Sequence, residues 1–375
     1  MTVGAPQSTP GGLQPHQTGS SRSGRLLMEP GVLVVASTGD ASGVVTFVSG
    51  LARTLDPDTC VFAAPPGSDL ERSLPAEART LPCGRGRLEM TRFLATQGRE
   101  FAVVQTHGAR ALLAAAMGNV PRRALDHVFH EFPRAAQRRS WVELGLAAGI
   151  RRTANTPALA RRLAKLGLPV SSTLSPLVSC DPPTPRDHAR RALGIPPNVL
   201  AGAVVGRLHR SKCPGLAVEA AELLPADVRE AFTLYFFGEG PLSRSLERRR
   251  RRSCAEIELR GHVPEASKLL SAFDVVVVAS PLETFSLTLA EAALAGAPIA
   301  AVASPGSRLI TANGDLLPLA KPTPEGLAER ISAALKHSGS ETRALREHVF
   351  RHFTVESGGG PHREHFASLM AESSR

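Results

Sequence analysis

The sequence predicts an α/β protein of two Rossmann-like domains whose parallel sheets face each other across a cleft. Three observations carry this. The chain has 375 residues, too many for one ordinary core and enough for two. Short apolar runs alternate with helical patterns along most of its length, the arrangement that covers a parallel sheet on both faces. A segment with five prolines, Ser179 to Pro197, interrupts that alternation near the middle. Ligands of such sheets bind beyond the carboxyl ends of the strands, so the cleft is expected to be built from the loops there.

Residues 1–30, rich in Gly, Ser, Pro and Gln, hold too few apolar side chains to offset ordering and read as a flexible tail. An N-terminal, acceptor-binding domain is expected over 31–180. Its first strand is Val32–Ser37, followed by a Gly-rich turn and a helix from Val44, where Phe47, Val48, Leu51, Ala52 and Leu55 fall at helical spacing. Further strands are expected at Cys60–Ala64, Phe101–Thr106, Val128–His130 and Ile150–Ala154, with helices at Gly108–Met117, Gln137–Leu146 and Pro157–Leu166. Residues 181–197 read as a linker.

The second domain, 198–350, repeats the rhythm more clearly. Its strands are Val199–Val205, Phe232–Phe237, Glu256–Arg260, Asp274–Ala279 and Pro298–Val302, and its clearest helices Gly215–Leu224, Ala266–Ala272, Leu287–Ala295 and Gly326–Leu335. A last helix, 351–375, is expected to close the chain, with the option of returning to the N-terminal domain.

Composition excludes several classes. A hydrophobic fraction of 42% with 21% charged residues is that of a globular protein rather than a disordered one. No run approaches the ~18 apolar residues of a membrane span, and the first thirty residues lack the apolar segment of a signal peptide. Five scattered cysteines without a C-x-x-C pair fit neither a disulfide scaffold nor a zinc module, and suit a reducing cytoplasm. The net charge of +10 calls for an anionic partner to be considered. Most of it is arginine in a chain rich in Ala, Gly and Pro, a bias that a GC-rich genome also produces. Aromatics are only 4% and no docking motif is present, so a nucleic-acid partner is not expected.

Four loops carry chemistry. In Ser280-Pro-Leu-Glu283-Thr284-Phe285-Ser286-Leu-Thr-Leu-Ala-Glu291, the first five residues read as loop after a buried strand and Leu287 onward as helix. Thr284 and Ser286 can cap that helix, whose free N–H groups suit a phosphate. Glu283 and Glu291 offer carboxylates to sugar and ribose hydroxyls; a capped helix with two solvated carboxylates fits the spacing equally well. In Gly206-Arg207-Leu-His-Arg-Ser-Lys212 the glycine allows close approach, Arg207 supplies a planar fork and Lys212 a point charge for phosphate oxygens. Two solvated cations are the plainer alternative. Gly238-Glu-Gly240 and Gly261-His262-Val263 each follow a strand of the same half and so point to the same sheet edge.

Together these segments resemble family 4 of the retaining nucleotide-sugar glycosyltransferases, over about residues 198–337. The Gly-Arg-Leu…Lys, Gly-Glu-Gly-Pro, Gly-x-Val and Glu-x7-Glu elements occur in that family's order and with similar spacing. The resemblance implies the glycosyltransferase B-type fold, Arg207 and Lys212 on the donor diphosphate, and Glu291 on the ribose. It places Glu283 by the donor sugar, His262 and Val263 beside the base, and Phe285 within the donor loop. Gly39-Asp-Ala-Ser-Gly43 resembles the family's Gly-rich loop facing donor and acceptor, and His130 of Val128-Phe-His-Glu-Phe-Pro133 the histidine that contacts the donor sugar. Thr284 and Ser286 stand where glycines are frequent, and Ser304-Pro-Gly-Ser307 departs from the usual Gly-Gly…Glu segment.

His107 ends a strand at the cleft and is a candidate acceptor contact. Arg134, Arg138 and Arg139, with Arg151 and Arg152, fall in the acceptor-binding half, where they can hold a phosphorylated acceptor, touch an anionic membrane surface or simply be solvated. Peripheral membrane contact is the less favoured of these. Asp56-Pro-Asp58 reads as a turn rather than a metal motif, and His348/His352 as a surface pair without a third ligand.

The resulting expectation is a cytoplasmic, bacterial, retaining glycosyltransferase that uses a nucleoside diphosphate sugar, with no metal and no other cofactor. Its acceptor is expected to be a small molecule, such as a phosphorylated aminocyclitol of a streptomycin-type antibiotic pathway. A lipid- or sugar-phosphate acceptor, a nucleotide-sugar epimerase of the same fold and a catalytically idle relative are the alternatives.

Overall fold

The structure, a computed structural model, describes residues 31–36, 43–133, 137–263, 265–336 and 340–373. The expected tail therefore lies outside the described residues, as do positions 39–42 of the Gly-rich loop, Arg134 and the side chain of Arg138.

The first half forms a seven-stranded, all-parallel sheet of order β3-β2-β1-β4-β5-β6-β7. β1 (Val32–Ala36) is buried at every position and leads to α1 (Gly43–Thr54), whose apolar stripe from Val45 to Ala52 covers the sheet. β2 (Cys60–Ala64), α2 (Asp69–Ser73), β3 (Arg79–Pro82) and α3 (Arg87–Gln97) follow. Next come β4 (Val103–His107), α4 (Ala109–Met117), β5 (Leu125–Phe129), α5 (Arg138–Ala147) and β6 (Arg151–Ala154). α6 (Pro157–Lys165) starts where Thr156 Oγ1 accepts from the Leu159 N–H and Pro157 takes the first helical position. A two-residue strand, β7 (Ser172–Thr173), ends the sheet.

The segment expected as a linker is not one. Residues 186–193 form α7 (Arg186–Leu193), closed by Gly194 in the left-handed region at φ 62°. Ala189, Leu193 and Ile195 are buried in the core of the second domain. Arg186 and Arg190 both reach Asp274, at 2.6 and 3.2 Å, and Asp274 also accepts from the Ala201 N–H at 2.8 Å. The prolines flank this helix instead of replacing it.

The second sheet has five parallel strands in the order β10-β9-β8-β11-β12. Its elements are β8 (Leu200–Val205), α8 (Pro214–Glu222), α9 (Ala226–Ala231), β9 (Phe232–Phe237), α10 (Ser243–Arg250) and β10 (Glu256–Leu259), then a 3-10 segment at Ala266–Ala272 in place of the expected α-helix. β11 (Val275–Val278), α11 (Leu287–Leu294), β12 (Ile299–Ala301), α12 (Pro305–Ile310) and α13 (Pro324–Lys336) complete it. Core clusters lie on both faces of each sheet.

Two helices end the chain. α14 (Ser340–Phe353) runs across the expected boundary at 350 and buries Leu345, Val349 and Phe353 in the second domain. α15 (Gly360–Ser373) packs Phe366 and Leu369 into the first domain's core beside Val32, Phe47 and Val128. The chain thus crosses between domains twice, and the crossings pair: Val178 N–H donates to Phe353 O at 2.8 Å and Val355 N–H to Val178 O at 3.1 Å. No described helix is long and apolar enough to span a membrane.

Candidate active site in the interdomain cleft

Parallel strands bring the carboxyl-end loops of each sheet to one edge. In the second domain three of these loops lace together. Gly206 follows β8 at φ 134° and Gly238 follows β9 at φ 135°, backbone conformations that side chains resist. A Cβ on Gly238 would collide with the Gly206 carbonyl, and one on Gly240 with the Leu208 carbonyl. The backbone bonds Gly206 N–H to Phe237 O, Leu208 N–H to Glu239 O and Gly238 N–H to Gly261 O join them. These glycines are needed for loop-on-loop contact. Arg207 emerges from this knot exposed, and His262 is exposed at the end of the next loop while Val263 leans on the core.

Lys212 lies on the short 3-10 turn Arg210–Lys212, and its ammonium sits 2.5 Å from Glu283 Oε1. Glu283 is only 13% exposed, so the pair closes most of the carboxylate off from water. Ser280 Oγ donates to Ser211 O at 2.7 Å and binds the two loops together. Within α11, burial raises the Glu291 carboxyl to a pKa of about 7, while the Lys212 charge pulls the other way.

The expected caps of α11 are absent. Ser286 occupies the cap position without a side-chain bond to the helix, and is buried. Thr284 turns away and donates across the cleft to His130 O at 2.8 Å. Phe285 does not face a ligand either: it is buried in the core with its ring 5.4 Å from that of Phe353, so apolar packing decided its orientation.

From the first domain, Gly43 opens α1 with its Cβ direction 3.5 Å from Leu287 Cδ1, so the start of α1 meets the start of α11. His130 follows β5. Its carbonyl accepts from Thr284 and from Asn155 Nδ2 at 3.1 Å, and Asn155 Nδ2 also lies 3.5 Å from Thr284 Oγ1. The ring packs edge-on against Phe47 and its Nε2 is 2.9 Å from His107 Nδ1. Burial and the nearby His127 push the His130 pKa down to about 3; burial and the His130 ring lower His107 well below the usual range. Both are neutral.

Two expectations fail on geometry. His107 is fully buried, with its ring nitrogens at His130 and Gln105, so it supports His130 and cannot meet an acceptor. Arg151 and Arg152 start β6 and therefore lie at the edge of the sheet opposite the cleft. Arg152 is occupied by the carbonyls of Pro169, Ala147 and Ile150. Arg139, in the first turn of α5, is exposed. Asp56 accepts from the Asp58 N–H at 2.9 Å as a turn does, and no metal-binding group of three side chains occurs among the described residues.

Between the domains lies a cavity of about 430 Å³. Glu131, Phe132 and Arg162 line it from one side and Lys212, Glu283 and Thr284 from the other. Asn155 and Arg162 were not singled out from sequence. Asn155 sits where β6 reaches the cleft, a position recognisable only once strand direction is known.

Residues 201–337 match the model of the Glycosyl transferases group 1 family. The matched segment holds the loops of Arg207, Lys212, Glu283 and Glu291. A D-inositol 3-phosphate glycosyltransferase of Xylanimonas cellulosilytica is 32% identical over 142 residues, 37% of this chain and 34% of its own. That of Geodermatophilus obscurus is 32% identical over 187 residues, 45% and 41% respectively. The chain thus spans between a third and about two fifths of the curated relatives it matches. Among solved structures, Anabaena HepE in complex with UDP-glucose superposes with a TM-score of 0.78 at 16% identity, over 92% of this chain and 100% of that one. Sucrose-phosphate synthase from Thermosynechococcus elongatus gives 0.73 at 18% identity, over 91% and 99%. At these identities the likeness is one of fold, and it shows the two-domain glycosyltransferase B-type architecture outside the group 1 segment as well.

Proposed function

We propose that this chain is a retaining glycosyltransferase that moves a sugar from a nucleoside diphosphate donor to a hydroxyl of a small acceptor. The observation that carries the reading is the cavity in which Lys212 and Glu283 of one domain stand opposite the His130 strand end of the other. On this reading Arg207 and Lys212 stabilise the charge that builds on the departing diphosphate, Glu283 orients the sugar and Glu291 receives the ribose hydroxyls. His262 and Val263 flank the base. The leaving diphosphate takes the acceptor proton on the face it departs from, so configuration is retained without a covalent intermediate or a metal. Domain closure would exclude water from the reacting carbon.

The acceptor we propose is a phosphorylated cyclitol, of the inositol or aminocyclitol type; an antibiotic pathway would suit the latter. Support comes from the inositol phosphate specificity in the names of the partial relatives and from Arg162 in the cavity wall, with Arg139 exposed on α5. A cytoplasmic location belongs to the same reading.

Thermal stabilisation against a panel of nucleoside diphosphates and their sugars tests the donor site. Saturation at a hundredfold excess over the dissociation constant stabilises by about 2.7 kcal/mol. A shift for one diphosphate, abolished by Arg207→Ala and Glu291→Ala, is expected; no shift with any member would overturn the donor site. Adding inositol phosphates and following the anomeric proton by NMR then separates transfer with retention from acceptor-independent epimerisation.

A further inference from the structure

A line of buried polar side chains runs under the cleft on the α1/α15 face of the first sheet. Gln105 and His107 stand two residues apart on β4, and Asp126 and His130 four apart on β5 and just beyond it, so the pleat puts all four on one face. The contacts are consecutive. His130 Nε2 lies 2.9 Å from His107 Nδ1, His107 Nε2 lies 2.9 Å from Gln105 Oε1, and Gln105 Nε2 lies 2.8 Å from Asp126 Oδ2. At the far end His365 of α15 reaches the same Asp126 oxygen at 3.3 Å, and Thr153 Oγ1 donates to the other at 3.2 Å. Asp126, Gln105 and His107 are fully buried.

The direction of every bond follows from one end. Burial alone would raise the Asp126 pKa, but the bond and charge of His365, with Gln105 and Arg151, hold it below the usual carboxylate value. With Gln105 Nε2 and Thr153 Oγ1 donating to its two oxygens and His365 Nε2 beside one of them, Asp126 is an ionised acceptor. Gln105 must present its NH2 to it, which leaves Oε1 to accept from His107. His107 then carries its proton on Nε2 and accepts at Nδ1, so His130 must donate from Nε2. One proton remains on each neutral ring, and the Nδ1 of His130 is left with a lone pair.

We infer that Gln105, His107, Asp126 and His365 are positioning residues that fix His130 as its Nε2–H tautomer, so that the ring offers the cleft a hydrogen-bond acceptor at Nδ1. His130 then selects ligand groups that donate, such as a sugar hydroxyl, and discriminates against bare acceptors such as phosphate oxygens. The sugar assignment rests on the donor reading given above; the tautomer does not. A glutamine between two histidines and a carboxylate accounts for the polarity of a face that would otherwise be apolar, at the cost of desolvating four groups.

The test is long-range 1H–15N NMR on ligand-free protein labelled at histidine, with His130 assigned by its loss in His130→Ala. His130 is expected to be protonated at Nε2 and unprotonated at Nδ1, and Gln105→Met, of similar shape but unable to pass on the hydrogen bond, to give mixed tautomers. In parallel, binding of UDP-glucose and UDP as probes separates function from folding. Gln105→Met should weaken UDP-glucose by about tenfold, the worth of roughly one hydrogen bond, and leave UDP unchanged. Should the wild type show His130 protonated at Nδ1, the inference falls, whether or not Gln105→Met folds; a Gln105→Met protein with an unaltered tautomer also overturns it. Failure of both probes, together with every other member of the nucleotide panel, would sink the donor reading while the spectrum still decides the tautomer.

Discussion

At Lys212 the ammonium is already engaged, 2.5 Å from a carboxylate that is largely out of water. On the proposed reading, a donor diphosphate arriving there finds the cation aligned but must share it with Glu283. Lys212→Ala is expected to lower kcat by about 10²–10³, the usual worth of one preorganised charge contact in the transition state, and single-turnover kinetics will measure it. Glu291 carries a different signature. Its carboxyl rises from 4.5 to about 7 on folding, so the folded chain holds a proton more tightly than the unfolded one. That contribution to stability is complete below pH 4.5 and is lost as pH rises through 7. Denaturation of wild type and Glu291→Gln across this window should show the wild-type advantage shrinking toward neutrality. Nucleoside affinity should move oppositely, increasing with pH as the carboxylate forms to accept ribose hydroxyls; titration calorimetry at pH 6 and 8 checks that sign.

Among elements, the laced loops and the α7 clamp make the sharpest predictions. Gly206 and Gly238 share nearly the same positive φ, but a Cβ on Gly206 meets open space while one on Gly238 meets backbone. Gly206→Ala should cost about 1–3 kcal/mol of strain, and Gly238→Ala clearly more, by urea denaturation. Asp274→Ala would leave the Arg190 guanidinium, 8% exposed, with backbone carbonyls but no counter-charge, and should cost about 3–5 kcal/mol as broken buried pairs do. Legibility in the sequence follows the same physics. β9, Phe-Thr-Leu-Tyr-Phe-Phe, is buried throughout and its bounds could be read directly. The edge strand β3 alternates partly buried and exposed positions, and β7 has two residues, so neither produces an apolar run. α7 is arginine-rich between prolines, and its amphipathic stripe was too short to read against that background. The cleft motifs were legible because loops after strands converge in any parallel sheet. The Lys212–Glu283 pair, the turn of Thr284 toward His130 and the role of Asn155 were not, since each depends on which side chains meet across two domains.

On the scale of the whole molecule, Thr284 of the second domain donates to the His130 carbonyl of the first, which also accepts from Asn155 of its own domain. Thr284→Val removes the donated bond while keeping the side chain's shape. It should weaken closure by about 0.5–1.5 kcal/mol, seen as a larger radius of gyration in solution scattering that a bound donor reverses. The two crossings between domains, at Val178 and at Phe353–Val355, are themselves paired by backbone hydrogen bonds. A single tether would leave one half free to swivel about three axes. Two tethers fastened side by side behave like the paired leaves of a door hinge, which allow a swing about the line through them and resist twisting. For the proposed transfer, substrates held on opposite halves would then be carried together along one arc, and the search for a reactive alignment would shrink from a volume of orientations to a single angle.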